Sequence, residues 1–352
     1  MKKILSISIL IILFSCKKNK ESNNFVGELP EKQNIDSLKQ TDFVGTIENF
    51  FYKKKNYIYS PTLAFAWNKI QQKLPNIKII EDKGIGDFIL LNATKSNINS
   101  LNKDEYETEI IIKNQEIIAT SELNLQLTFE PILEKFNRSI YFNDNFAVQG
   151  FGMRKWDNEK AEQLEIIYFL DNDNFIFKLK PKENNNELIF IKGLKSEKAN
   201  SFKEVIEILK KKKNIGETEK KNSEMSWKYK LIEERKETFS IPELTFNIEK
   251  SYKTIEGQSF SAQNTIYTIS KAHQRTALLL NNKGAKIESE AKITTITSAM
   301  HSEKTAKIDK HLSLNRTFFL IIKHSDQENP FFCAKIDNIE LMNKNKVSAV
   351  KK

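Results

Sequence analysis

The stretch Gly284-Ala285-Lys286-Ile287-Glu288-Ser289-Glu290-Ala291-Lys292-Ile293 decides the fold, because small or apolar residues alternate strictly with charged ones. A period of two predicts a β-strand that turns one face to a core and the other to water. The inward face predicted by this alternation consists of Ala285, Ile287, Ser289, Ala291 and Ile293.

Many further strands are predicted on both sides of this stretch. In 123–129 the alternation of Leu with polar residues is again strict, and turn-rich polar segments separate the other candidates. The predicted strands are 87–91, 109–112, 122–129, 163–170, 174–179, 187–191, 243–248, 265–269, 276–280, 317–322 and 330–336.

Helices are fewer. Helical spacing of apolar residues predicts helices over 43–52 and 61–74, the second with Ser60 as N-cap and Pro61 at its first position. A short amphipathic helix is predicted over 201–210, followed by a polar loop over 214–226. A few helices and many antiparallel strands favour an α+β domain with a large sheet.

The amino terminus indicates export. Lys2 and Lys3 precede the uncharged run 4–14, which at eleven residues is too short to span a bilayer, and Cys16 follows a small residue. This arrangement is similar to the lipobox of bacterial lipoproteins, and the resemblance implies cleavage before Cys16 and acylation of its sulfur. We therefore expect a lipid-anchored protein of the bacterial cell envelope, in the outer rather than the inner membrane. An ordinary secreted protein is the alternative.

The predicted organisation has four parts. A signal peptide over 1–15 precedes lipidated Cys16 and a flexible tether over 16–40; the folded domain covers 41–344, and a basic tail covers 345–352. The net charge of +10 falls to about +8 once Lys2 and Lys3 are removed. Lysine and glutamate are interleaved, and the basic run 210–213 follows the predicted helix, so we expect a solvated surface and no nucleic-acid partner.

The sequence carries no recognisable catalytic motif. Its four histidines lack metal-ligand spacing, and it contains no P-loop, nucleophile elbow or dinucleotide fingerprint. Cys333 lies in the apolar run 331–334 and is expected to be a buried hydrophobe rather than a reactive thiol. We therefore predict a protein that is not an enzyme and that uses neither a metal nor a cofactor.

Four pieces of the chain, in the right order, resemble the serpin family. Asn56-Tyr57-Ile58-Tyr59-Ser60-Pro61 is similar to its Asn-x-x-x-Ser-Pro motif, and Ile241-Pro242-Glu243-Leu244-Thr245-Phe246 to the start of a family strand. Ile269-Ser270-Lys271 precedes Gly284 at the family's spacing to its hinge glycine. Arg316-Thr317-Phe318-Phe319-Leu320-Ile321-Ile322 with Pro330-Phe331-Phe332 resembles the family's carboxy-terminal signature.

The resemblance implies a reactive loop from Gly284 to about His311 that inserts into a central sheet as an added strand after a protease cuts it. Gly284 and Ala285 would be the hinge. Ile287, Ser289, Ala291 and Ile293 would form the inserting face, and the bond between Ser298 and Ala299 would be cut. A polar hairpin or loop without insertion is the alternative for this segment.

Three hypotheses for function remain open. Inhibitory serpins carry Glu-Glu before the hinge glycine and small residues after it, whereas this chain has Asn282-Lys283 and the bulky Ile287. These departures favour a degenerate, serpin-like module that binds a protein of the envelope. The alternating strand instead favours a suicide inhibitor of a protease. The third hypothesis is a carbohydrate- or small-ligand-binding lipoprotein that uses Trp156 or Trp227 as a sugar platform.

Overall fold

The computed structural model describes residues 26–344 except 53, 81–85, 94–99, 114–115, 184 and 291–308. Residues 1–15 and the tail 345–352 therefore lie outside the described residues. Within the described part, no helix has the length and apolarity needed to cross a bilayer.

The part of the chain that the structure describes contains four α-helices. α1 and α4 are the long ones, and α4 begins after Ser201, whose hydroxyl accepts a hydrogen bond from the amide of Glu204. The bounds are Thr62–Lys73 for α1, Gly86–Ala93 for α2, Asn158–Glu162 for α3 and Phe202–Lys220 for α4.

β-strands make up most of the regular structure. In chain order they are β1 Gln33–Asn34, β2 Thr41–Val44, β3 Asn56–Tyr59, β4 Lys78–Ile80, β5 Tyr106–Lys113, β6 Glu116–Thr128, β7 Glu134–Lys135, β8 Ile140–Phe142, β9 Phe146–Val148, β10 Gly150–Met153, β11 Leu164–Asp171, β12 Asn174–Leu179, β13 Asn186–Lys192, β14 Thr238–Pro242, β15 Leu244–Ser251, β16 Ser259–Ala262, β17 Thr265–Thr268, β18 His273–Asn281, β19 Gly284–Glu290, β20 His311–Ser313, β21 Phe318–His324 and β22 Phe332–Ile336.

Two large sheets dominate the fold. The six-stranded sheet has the order β1-β15-β18-β19-β6-β5, and all its neighbours are antiparallel except β1 and β15. The seven-stranded sheet has the order β11-β12-β13-β21-β22-β3-β2 and is antiparallel except for β2 with β3. Smaller sheets are β20-β14-β10-β7, β17-β16-β4 and β8-β9. The predicted α+β class with large, mostly antiparallel sheets is confirmed.

The core has two parts. α1 packs against β5, β6, β18 and β19, so its apolar side chains cover the inner face of the six-stranded sheet. α4 covers the other side of the seven-stranded sheet through Phe202, Val205 and Leu209. Stacked phenylalanines, including Phe175, Phe177 and Phe190, fill the larger of the two clusters.

Two predicted elements have the wrong type. The segment 43–52 is not helical: Phe43 and Val44 belong to β2 and pair with Ile58 and Tyr59 of β3. Conversely, 87–91 lies in helix α2, where Phe88 and Leu91 are buried. A short apolar run fits a buried helix as well as a buried strand, so tertiary packing decides between them.

Two helix boundaries also differ from expectation. α4 continues ten residues past Lys210, so 214–220 is helix rather than loop, because Lys212 lies over the ring of Tyr168 at 4.3 Å and Lys220 pairs with Glu165 at 3.2 Å. Ser60 does not cap α1. Pro61 occupies the N-cap position without a side-chain bond, and Ser60 Oγ has no partner among the described residues.

Candidate functional site

The predicted hinge is a tight turn between β18 and β19. Asn281 pairs with Gly284, and the amide of Lys283 donates to Asn281 Oδ1 at 2.8 Å. Gly284 has φ of +147°, and a Cβ there would lie 2.0 Å from the carbonyl oxygen of Leu127. Only glycine fits this backbone and this close approach of β6.

β19 lies in the interior of the six-stranded sheet. It pairs with β18 along Arg275–Asn281 and with β6 along Glu122–Thr128. Ala285, Ile287 and Ser289, three of the predicted inward-facing residues, are buried. Ala291 and Ile293 lie outside the described residues, as do Ser298 and Ala299, so the assignments of the inserting face and of the scissile bond stay predictions.

The inner face of β19 ends in a network of buried hydroxyl groups. Ser289 Oγ lies 2.9 Å from Thr276 Oγ1 and 3.1 Å from Thr62 Oγ1, at the first turn of α1. Gln274 Nε2 donates to the carbonyl oxygen of Ser60 at 3.2 Å, and Tyr252 donates to Gln274 Oε1 at 2.6 Å. The network joins β19, β18 and the helix behind the sheet, and it satisfies polar groups that burial would otherwise penalise.

The outer face of β19 carries charges. Glu288 accepts from Arg275 at 2.9 Å and pairs with Lys286 at 3.3 Å. At the end of the described strand, Glu290 stands opposite Glu122, which in turn stands opposite Glu107. Like charges directly opposite each other destabilise a sheet, so this row of exposed carboxylates disfavours pairing at its position.

A buried ion pair lies directly before β20, at Lys310. Lys310 Nζ donates to both carboxylate oxygens of Glu237, at 2.7 and 2.9 Å, and neither side chain is exposed. Burial lowers the pKa of Lys310 and the neighbouring Glu237 opposes that shift. Lys310 Nζ also lies 5.0 Å from the ring centroid of Trp227. The pair fixes the start of β20 beside β14.

The segment from Val26 to Asn34, called here the strap, packs on the six-stranded sheet. Val26 is buried, and its carbonyl oxygen accepts from Asn281 Nδ2 at 2.8 Å. Asn247 Nδ2 donates to the carbonyl oxygen of Pro30 at 2.8 Å, and β1 pairs with β15. Residues 26–40 therefore differ from the flexible tether expected over 16–40, because they form hydrogen bonds and bury Val26 and Ile35; residues 16–25 lie outside the described residues.

The two tryptophans proposed as sugar platforms are both half-buried. Trp227 packs edge-on against Phe169 at 6.1 Å, so its ring belongs to the core around Lys310. Trp156 donates to Asn158 Oδ1 at 2.7 Å and borders an open cleft of 330 Å³. Of the two, Trp156 is the one that borders this cleft.

The remaining polar candidates are engaged in the fold. Cys333 is buried and burial raises the pKa of its thiol well above the ordinary value, which confirms the expected buried hydrophobe. His324 lies 2.7 Å from Glu105. Among the described residues, no group of three or more acidic, histidine or cysteine side chains is placed to hold a metal ion.

Sequence reasoning missed the hydroxyl network, the pair of Lys310 with Glu237 and the strap. Each joins residues more than 70 positions apart with no shared motif. The only available signal was a small polar residue, Ser289, on an otherwise apolar strand face.

Solved structures to which the chain is similar in fold are serpins. A cleaved serpin 42Da has 11% identity, covering 66% of this chain and 58% of its own length, with a TM-score of 0.39. A thermophilic serpin in the latent state, tengpin, has 10% identity, covering 84% of this chain and 93% of its own, with a TM-score of 0.39. Human thyroxine-binding globulin has 12% identity, covering 65% and 58%, with a TM-score of 0.34.

This chain thus spans less than two thirds of the length of the cleaved serpin and of the globulin. No family model matches the sequence, and no curated protein matches it.

Proposed function

We propose that the chain is a lipid-anchored envelope protein whose serpin-like domain binds another protein without catalysis and without trapping proteases. The observation that carries this proposal is the position of β19. In the continuous chain it is already a strand of the six-stranded sheet, with β18 on one side and β6 on the other.

An inhibitor of the serpin kind requires the opposite starting state. Its loop must be outside the sheet before the cut, because insertion after the cut drives the trapping of the protease. Here Ile287 and Ser289 are buried in the sheet, and Ser289 is bonded to the helix behind it. A cut within 291–308 would therefore release little further strand pairing, and the protease would complete hydrolysis and leave.

A protease panel tests the proposal on the processed chain from residue 16 with Cys16→Ser. We expect cleavage within 291–308 without a covalent, SDS-stable complex. The melting temperature of the cut chain should stay within about 3 °C of that of the intact chain, because little new surface is buried. A covalent band at the summed mass, or a rise in melting temperature of about 15 °C or more, would instead establish the inhibitor.

The anchor is tested separately. Cys16→Ser should move the protein from the membrane fraction to the soluble fraction, because several acyl chains on one residue are needed for stable anchoring. Cys333→Ala is the matched control, since Cys333 is buried and should leave the distribution unchanged. Retention of the Cys16→Ser protein in membranes, with normal processing, would refute lipid anchoring.

A further inference from the structure

Two aromatic side chains project into solvent from the loop that follows β2. The side chain of Tyr52 is 81% exposed and that of Phe50 is 41% exposed, and their ring centroids lie 6.2 Å apart. Tyrosine is enriched at the boundary between water and lipid, because its ring is apolar and its hydroxyl is polar, and a phenylalanine ring beside it can bury apolar surface in the same region.

The residue between them is anchored. Phe51 stacks on Tyr57 at 4.7 Å and meets Phe202 edge-on at 5.0 Å, and its amide donates to the carbonyl oxygen of Asn200 at 2.6 Å. Phe51 is half-buried and packs inward, whereas its two neighbours Phe50 and Tyr52 are exposed. The two rings are therefore displayed on a fixed support and lose little conformational freedom on binding.

Lysines surround the aromatic pair. Lys54, two positions after Tyr52, is exposed, and a cleft of 480 Å³ beside the rings is lined by Lys55 and Lys253. The same lining carries two aspartates, of which Asp42 pairs with Lys250 and Asp36 is exposed, so the lysines outnumber the acidic residues. The rim around Phe50 and Tyr52 is therefore cationic, which complements the phosphate groups of anionic lipid.

We propose that Phe50 and Tyr52, with Lys54, Lys55 and Lys253, form a docking surface for an anionic phospholipid membrane. The choice of a membrane over an acidic protein rests on the proposed lipid anchor at Cys16. Ten Cα–Cα steps separate Cys16 from Val26 and can span at most about 36 Å. Val26 lies at the Leu244 end of the six-stranded sheet, whereas the aromatic pair lies near residues 252–254, beyond Ser251 at the other end of β15.

β15 has eight residues and is about 26 Å long, so the linker is long enough for anchor and docking surface to meet one membrane plane. A surface held within this distance of lipid meets it at a high effective concentration, and weak contacts then suffice to orient the domain.

Vesicle co-sedimentation of the processed chain with Cys16→Ser tests the proposal without the lipid anchor. We expect at least about fivefold stronger binding to vesicles of phosphatidylcholine with about 30% phosphatidylglycerol than to phosphatidylcholine alone, and loss of this preference at about 0.5 M salt. Phe50→Ser with Tyr52→Ser should weaken binding to the anionic vesicles at least about fivefold, and Lys54→Gln with Lys55→Gln should do the same.

Tyr141→Ser with Phe146→Ser is the matched control, because both rings are exposed on the β8–β9 hairpin and neither lines the cleft beside Phe50 and Tyr52. It should bind like the parent chain. Equal binding by the Phe50/Tyr52 variant and this control, or no binding of the parent to anionic vesicles, would overturn the docking surface, even if an acidic protein were found to bind the loop.

The two proposals fail separately. Loss of acylation at Cys16 would remove the anchor but leave vesicle binding by the loop intact. If the Cys16→Ser protein did not bind anionic vesicles, the docking surface would be refuted, but the lipid anchor and the protein-binding function would stand.

Discussion

The hydroxyl oxygens of Ser289 and Thr62 lie 3.1 Å apart, although 227 positions separate the two residues along the chain. One belongs to β19 and the other opens α1, so this contact fastens the central strand to the helix behind the sheet. The buried end of β19 is therefore held in the core by a side-chain contact as well as by strand pairing.

Removing the Ser289 hydroxyl should destabilise the protein. Ser289→Ala leaves Thr276 and Thr62 without one of their buried partners, at a cost of about 1–3 kcal/mol in the free energy of unfolding. Urea denaturation measures this change. Ser259→Ala is the control, since Ser259 bonds Thr268 on an exposed hairpin and its loss should cost no more than about 0.5 kcal/mol. Equal stability of Ser289→Ala and the parent would show that β19 is not held in this way.

Gly284→Ala tests whether β19 lies inside the six-stranded sheet, next to Leu127 of β6. The added Cβ would lie 2.0 Å from the carbonyl oxygen of Leu127 and the backbone has φ of +147°, so we expect a loss of about 2–4 kcal/mol from steric strain. Gly257→Ala is matched for a positive φ, +86°, but its Cβ would meet nothing within 4 Å. Its cost should be about 1 kcal/mol.

Thermal and urea denaturation of both variants gives the comparison. If β19 were outside the sheet in solution, Leu127 would not be adjacent and the two glycine variants would lose similar stability. That result would also weaken the proposal that the domain does not trap proteases.

The sequence predicts that β19 is a strand, but it does not predict which strands lie on either side of it, for a physical reason. A period of two requires only a half-buried environment, which the residues 284–290 themselves reveal. Which strands flank it depends on β6, more than 150 positions earlier, and on a glycine turn whose geometry is set by Leu127. The local pattern places Ser289 on the apolar face of the strand. It does not predict the hydrogen bond to Thr62, because the two residues lie 227 positions apart.

For the strap, the sequence predicts too little structure. A polar segment with Gly27 and Pro30 reads as a linker, since it lacks any period. It is held instead by side chains of the sheet, Asn281 and Asn247, that donate to its carbonyl groups. Every residue has a backbone carbonyl group, so the sequence of a segment does not show that its carbonyl groups accept hydrogen bonds from distant side chains.

Acid should weaken the contact between α4 and the seven-stranded sheet through Glu165. Burial alone would raise the pKa of this carboxyl, but the charges of Lys178, Lys220 and Lys180 lower it to about 2 from an ordinary 4.5. A carboxyl with a depressed pKa stabilises the fold above its unfolded pKa, and that stabilisation is lost as the pH falls through the folded one. The loss should therefore extend from about pH 4.5 to about pH 2.

Glu165→Gln should lower the free energy of unfolding at pH 7 by about 1–2 kcal/mol, a value reduced for the partial exposure of the carboxyl. The difference from the parent should narrow below pH 4.5. Glu130→Gln is the control, because its pair with Lys182 is exposed to solvent and should leave stability nearly unchanged. A Glu165→Gln difference that does not change with pH would contradict this explanation.

Lys310→Met should destabilise the protein strongly, because it leaves the carboxylate of Glu237 buried without its counter-charge. The expected loss is about 3–5 kcal/mol in urea denaturation. Adding Glu237→Gln should recover most of it, since glutamine removes the charge and keeps an oxygen for the amide of Ile232. Lys210→Met, which breaks an exposed pair with Glu328, should leave stability nearly unchanged. A double variant no more stable than Lys310→Met would argue against charge burial as the cause.

Asn281→Ala should free the strap without unfolding the sheet. Asn281 Nδ2 is the donor to the carbonyl oxygen of Val26, and Asn281 Oδ1 accepts from the amide of Lys283, so the variant also loosens the turn that leads into β19. Losing a hydrogen bond worth about 1 kcal/mol should raise the hydrogen-exchange rate of amides in 26–34 about fivefold, while amides in β15 keep their protection. Asn145→Ala, which removes an exposed local bond to Asn143, should leave both regions unchanged. Faster exchange in β15 as well would mean that the strap and the sheet open together, and the strap would then be an integral strand of the fold.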